Sequence, residues 1–168
     1  TVYIYEYDTP VFPTITYNYL TSSYEVGSHY TLIAQPTVQA TLLTSSAIST
    51  NSATLSWTQG NGTYELVGVR QGTSNSYVPV DGNVYTPSTT YGAGSGLGSA
   101  PYSYVVYTST GSSVNVTNLS PATDYVANCF TYDGTLGAQN YYTSSFPTEG
   151  FTTLASQPTG NCTYLYAT

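Results

Sequence analysis

The chain has 168 residues, only 5% of them charged, and a net charge of -7. Arg70 is the single Lys or Arg, so nucleic acid and anionic membrane surfaces, which are held mainly through basic side chains, are not expected as partners. No apolar run nears the roughly 20 residues of a membrane span.

The 20 tyrosines, together with many Val and Thr and regular Gly/Pro punctuation, point to strands rather than disorder. A polar, uncharged, β-rich surface suits an extracellular or cell-surface protein, where glycans can replace charge as the solubilising element. The start, without Met or a signal-like segment, fits a processed or excised mature piece.

The first 34 residues are best understood beside the last. Asn18-Tyr19-Leu20-Thr21-Ser22-Ser23 matches Asn140-Tyr141-Tyr142-Thr143-Ser144-Ser145, and Gln35-Pro36-Thr37 matches Gln157-Pro158-Thr159, both at an offset of 122. Upstream, Tyr7-Asp8 matches Tyr132-Asp133 at an offset of 125, so a loop between them differs by three residues. Two matched blocks in one order identify an internal repeat. Residues 1–34 form the last two strands of a preceding repeat, 35–156 one complete repeat, and 157–168 the first strand of a following one.

Within the complete repeat, alternation predicts strands at Val38–Leu43, Ala53–Thr58, Tyr64–Arg70, Tyr102–Thr108, Val114–Leu119, Asp124–Tyr132 and Gly150–Leu154. Asp81-Gly82 reads as a turn, and the Gly-rich stretch from Gly92 to Gly98 as a flexible loop. No segment has a helical period. The expectation is an all-β, antiparallel Greek-key β-sandwich with extra strands from an incomplete flanking repeat.

Two segments resemble the fibronectin type III domain. Ala53-Thr54-Leu55-Ser56-Trp57 is similar to its second strand, with Trp57 in the core. Leu119-Ser120-Pro121-Ala122-Thr123-Asp124-Tyr125 is similar to its Leu-x-Pro-x-Thr-x-Tyr corner, which implies that the Tyr125 hydroxyl ties back to the chain near the preceding turn. With Phe151-Thr152-Thr153-Leu154 the resemblance covers the complete repeat. It is nearest to the long variant in tandem arrays on secreted bacterial proteins. The segment from Glu65 to Arg70 departs from the pattern, lacking the aromatic alternation of animal modules, and there is no Arg-Gly-Asp loop.

The residue inventory argues against an enzyme. His29 is the only histidine available as a base, and no nucleophile-elbow pattern accompanies it. Glu6 and Asp8 share a strand face, as glycosidase carboxylates do, but their counterparts Thr131 and Asp133 keep one acid. No metal or cofactor site is expected: the cysteines and histidine lack finger spacing, Asp81 and Asp133 are weak calcium candidates, and the glycine stretch has neither a Lys nor a helix start.

Four sequons, at Asn61, Asn115, Asn118 and Asn161, are glycosylation candidates, with Asn61 in a turn and Asn115 on the outward phase of its strand. Covalent glycans are therefore expected. Cys129 and Cys162, standing where the flanking counterparts are Ile4 and Ala40, are candidates for a disulfide within or between chains. Without lysine, Lys–Asn isopeptide bonds are excluded, so covalent reinforcement falls to a disulfide or something rarer.

The ragged ends suggest the function. An isolated hairpin is marginal in water, so residues 1–34 need completion, by adjacent repeats or by other copies of the chain. The expectation is a filament or surface fibre built by head-to-tail donor-strand addition, through the arm 1–34 or the tail 157–168. The alternatives are a cell-adhesion array and a carbohydrate-binding accessory module. The latter would stack sugars on Tyr102, Tyr104 and the pair Tyr141-Tyr142.

Overall fold

Between Ala53 and Thr58 every second side chain, Ala53, Leu55 and Trp57, is buried, while Thr54 and Ser56 turn outward. This period of two marks a strand with one face on a core. The computed structural model describes residues 2–4, 25–27 and 30–160. The chain divides into two units, residues 1–31 and 32–168.

In the first unit β1 (Val2–Ile4) runs antiparallel to β2 (Glu25–Gly27), with Val2 opposite Gly27, Tyr3 opposite Val26 and Ile4 opposite Glu25.

The second unit holds β3 (Thr41–Ser46), β4 (Ala53–Thr58), β5 (Tyr64–Gln71), β6 (Gly96–Leu97), β7 (Ser103–Ser109), β8 (Ser113–Val116), β9 (Asp124–Asp133), β10 (Asn140–Tyr141) and β11 (Thr148–Thr152). One sheet has the order β3-β4-β8. The other runs β6-β7-β5-β9, with β10 and β11 pairing with successive halves of the far edge of β9. All named strand pairs are antiparallel, and the fold is an all-β sandwich.

Ala53–Thr58 coincides with its expected strand, and the other six expected strands are present with shifted ends. The largest shift is in the first. The ladder slips between Thr41 and Thr44, Leu42 has φ 52° and is exposed, and pairing continues to Ser46.

The sandwich core lies between the sheets, where Leu55 and Trp57 meet Val67, Val69, Ala127 and Tyr125. A second core covers the opposite face of the larger sheet. There Leu66, Val105, Phe130 and Tyr132 pack with Leu97 and Tyr141. The cover comes from the chain between β5 and β7 and from the segment after β9, which contribute Tyr77, Tyr85, Tyr141 and Phe146.

The Gly92–Gly98 region is thus not a free flexible loop. It contains β6, and Leu97 is 1% exposed. Its glycines serve close approach: a Cβ at Gly94 would collide with the Val105 carbonyl, and Gly98, at φ +75°, lies against the Tyr77 ring.

The stretch between β5 and β7 is fastened at several points. Arg70 donates to the carbonyls of Pro101 (3.1 Å) and Ser74 (2.7 Å), and its guanidinium stands over the Tyr77 ring. Buried Asn128 donates to the Asn75 carbonyl, and Asn75 donates to Ser103 Oγ. Tyr91 N–H donates to Thr117 O and Thr117 N–H to Thr89 O, so the same stretch also reaches the chain just after β8. On the opposite side Glu149 of β11 accepts from the N–H and hydroxyl of Ser45 in β3. The two sheets are therefore tied along both flanks.

Candidate functional site

The most distinctive polar arrangement is buried between the sheets, where β5 and β9 run side by side. The inward phase of β5 reads Glu65, Val67, Val69, and that of β9 reads Tyr125, Ala127, Cys129, Thr131. A carboxylate and a hydroxyl thus occupy positions where the pattern calls for apolar side chains. Glu65 is 1% exposed and Thr131 0%. Burial without pairing would be costly, and both are paired.

The Thr131 hydroxyl donates to Glu65, at 3.0 Å to Oε1 and 2.8 Å to Oε2. Gly60 N–H donates to Oε1 at 2.9 Å, and the Cys129 thiol faces Oε2 at 3.7 Å. Desolvation raises the Glu65 pKa above the usual carboxylate value, against the opposing pull of the Gly60, Thr131 and Cys129 hydrogen bonds. The Cys129 thiol is pushed up strongly, first by burial and then by the neighbouring Glu65 charge.

Gln39, in the extended lead into β3, completes the cluster. Its Oε1 accepts two backbone N–H groups, from Thr131 at 2.7 Å and from Ala40 at 2.9 Å. Its Nε2 donates to the carbonyls of Tyr142 (2.7 Å) and Ser145 (2.9 Å). The Ala40 N–H also reaches Thr131 Oγ1 at 2.8 Å, so the Gln39 carboxamide oxygen and the Thr131 hydroxyl share a donor.

The sequence reading passed over these three residues. In sequence Glu65 only opens the segment to Arg70 that departs from the family pattern, and Thr131 stands only as the counterpart of Glu6. The signal was their phase: both fall on the buried register of their strands.

The fold markers Trp57, Leu119 and Tyr125 are buried, and Pro121 lies on the exposed turn between Leu119 and β9. Tyr125 Oη accepts the Ser120 N–H at 2.9 Å. Trp57 meets Tyr107 edge to face, with ring centres 5.0 Å apart.

The sequons differ in their surroundings. Asn115 is exposed on β8, opposite Thr54, which lies opposite Ser46. Asn118, at φ 62°, donates to the Tyr91 carbonyl. Asn61 accepts the N–H groups of Thr37 and Val38 and donates to Thr37 Oγ1. Asn161 lies outside the described residues. So do Cys162, His29, Glu6 and Asp8. Cys129 is fully buried and has no disulfide partner among the described residues.

The tyrosines singled out for sugar stacking are not coplanar. Tyr102 and Tyr104 meet at 67°, Tyr141 is 1% exposed, and Tyr142 is half-buried. An open groove of about 330 Å³ lies along Gly72, Asp124, Val126, Gly150 and Thr152. Its carboxylate, on Asp124, is taken by the Thr152 hydroxyl at 2.6 Å. Among the described residues no group of three or more His, Cys, Asp or Glu is placed to hold a metal ion. Nor, among the described residues, is any helix long and apolar enough to cross a membrane.

No family model matches the chain, and no curated protein matches it. Solved structures do. A computationally redesigned β-sandwich protein is 16% identical, covers 70% of this chain and 96% of its own, and has a TM-score of 0.47. The FN3 domain of human collagen XX is 17% identical over 71% of this chain and 100% of its own, with a TM-score of 0.36. The sensor domain of the anti-sigma factor RsgI4 of Pseudobacteroides cellulosolvens is 14% identical over 71% and 96%, with a TM-score of 0.41. The sandwich itself follows from the strand order and register.

Proposed function

We propose that this chain is an extracellular structural protein that builds a filament or surface fibre by head-to-tail strand complementation of fibronectin type III-like repeats. One observation carries the reading. At the offsets of the internal repeat, Val2, Tyr3 and Ile4 correspond to Ala127, Asn128 and Cys129, while Glu25, Val26 and Gly27 correspond to Pro147, Thr148 and Glu149. In β1–β2, Tyr3 stands opposite Val26 and Val2 opposite Gly27; in β9–β11, Asn128 stands opposite Thr148 and Ala127 opposite Glu149. The two pairs have the same register.

The difference lies in what flanks them. β9 has β5 along its other edge, residue for residue from Tyr64 to Gln71. Among the described residues β1–β2 is a two-stranded sheet. Two strands alone are marginal in water, and an unpaired strand edge is a template for another chain. An incoming strand from a neighbouring copy or an adjacent repeat would supply what β5 supplies to β9. Covalent glycans fit the same surface role, and Asn115, exposed on β8, is the sequon best placed to carry one.

Negative-stain microscopy of the purified protein tests the reading. Long regular fibres that disappear when residues 1–34 are removed are expected. Dispersed monomers that sediment with insoluble polysaccharide would overturn it in favour of an accessory binding module.

A further inference from the structure

The Gln39–Glu65–Thr131 cluster has the parts of an acyl-transfer site enclosed in a domain core. The nucleophile is the Thr131 hydroxyl, whose proton is already directed at the Glu65 carboxylate. A buried carboxylate with raised proton affinity is suited to general-base work. The electrophile is the Gln39 carboxamide. Its oxygen sits between the N–H groups of Ala40 and Thr131, two backbone donors where negative charge would develop during attack.

That the nucleophile's own N–H is one of the donors is the arrangement by which serine hydrolases hold their acyl intermediates. The leaving nitrogen faces two carbonyls on the more exposed side, those of Tyr142 and Ser145. Thr131 and Glu65 are closed off from solvent, which protects an ester once formed. Gly60 packs against the site: a Cβ there would collide with Thr131 Oγ1 and approach the backbone carbonyl carbon of Gln39 to 2.9 Å.

The geometry points to an autocatalytic, single-turnover ester cross-link between the side chains of Gln39 and Thr131. Thr131 Oγ1 attacks Gln39 Cδ, the Cδ–Nε2 bond breaks, and a Cδ–Oγ1 bond replaces it. The hydroxyl proton passes to Glu65 and is returned to the departing nitrogen, which leaves as ammonia. Nothing is oxidised or reduced, and no co-reactant is needed. The bond would tie the lead of β3, in the smaller sheet, to β9 in the larger one. It supplies covalent reinforcement to a chain without lysine.

Mass spectrometry of the full-length protein, after glycan removal, decides the matter. The expected result is an intact mass about 17 Da below the sequence mass, the loss of one ammonia. A peptide map should then show a branched species joining the Gln39 and Thr131 peptides, which alkaline hydroxylamine separates. T131A should restore the full mass, T131S should retain the loss, and E65Q should slow its appearance. Because the map is made on the natural chain, the outcome does not depend on whether T131A folds. Folded protein at its full sequence mass, with Gln39 and Thr131 in separate unmodified peptides, overturns the proposal. An ammonia loss confined to the Asn61-Gly62 peptide, the sign of a succinimide, does the same.

Discussion

Tyr125 Oη accepts the Ser120 N–H at 2.9 Å, closing the turn that leads from β8 into β9, while the Tyr125 ring stacks on Phe151 at 21°. Replacing Tyr125 by Phe keeps the ring and removes one hydrogen bond. We expect a loss of about 1 kcal/mol, the net worth of a neutral intramolecular hydrogen bond. Urea denaturation should show a lower midpoint with an unchanged slope.

Arg70 acts as a fastener rather than a surface charge, because its donors go to Pro101 and Ser74 and its face to Tyr77. Arg70→Met retains much of the apolar stem and loses these contacts. A destabilisation of about 1–2 kcal/mol is expected, at the lower end for charge-assisted hydrogen bonds since the group is partly solvated. Limited digestion with chymotrypsin should show faster cleavage after Tyr77 and Tyr85 in the variant.

Glu65 makes stability fall with rising pH over a definite window. Its folded pKa is raised, chiefly by desolvation, above the value of 4.5 for an unperturbed carboxyl. The folded state therefore binds the proton more tightly than the unfolded state. The contribution of this group is fully present below the unfolded pKa and is lost as pH rises through the folded one. Urea midpoints of wild type and Glu65→Gln, measured from acid to neutral pH, should diverge across that interval. The wild type should lose stability with rising pH relative to the variant. A constant difference would contradict the assignment.

Two glycines should respond oppositely to alanine. A Cβ on Gly60 meets the Val38 carbonyl and Thr131 Oγ1 inside the packed cluster, whereas one on Gly150 in β11 meets nothing within 4 Å. Gly60→Ala should cost at least ~2 kcal/mol through overpacking. Gly150→Ala should stay within about 0.5 kcal/mol of wild type or stabilise slightly by restricting the unfolded chain. Thermal melts of the two variants make the comparison.

How much of this was legible in the sequence depended on the range of the interactions. Ala53, Leu55 and Trp57 announce their strand through simple alternation, and the spacing from Leu119 to Tyr125 announces the corner, because both signals are local. The second core was not readable. Leu66, Phe130 and Tyr132 fall on the phase that an ordinary sandwich leaves to solvent. Their burial depends on Leu97, Tyr77 and Tyr141, which arrive from segments with loop-like composition. The same remoteness hid the polar cluster, since Gln39 and Thr131 are 92 positions apart in sequence. Tyr141, proposed from sequence as a sugar platform, is buried for the same reason: its β-propensity serves packing.

The pinning of Arg70 also bears on how long the protein would last outside a cell. With no lysine in the chain, the peptide bond after Arg70 is the only one that a trypsin-like protease can recognise. It lies at the end of β5, with Arg70 opposite Val126 and Gln71 opposite Tyr125 of β9, just past the last rung to β7, Val69 opposite Tyr104. A protease needs several residues in extended, unpaired form, so cleavage there requires this end of β5 to peel away from β9. These 168 residues offer this whole class of digestive enzymes a single bond, and it is tied into the β5–β9 ladder.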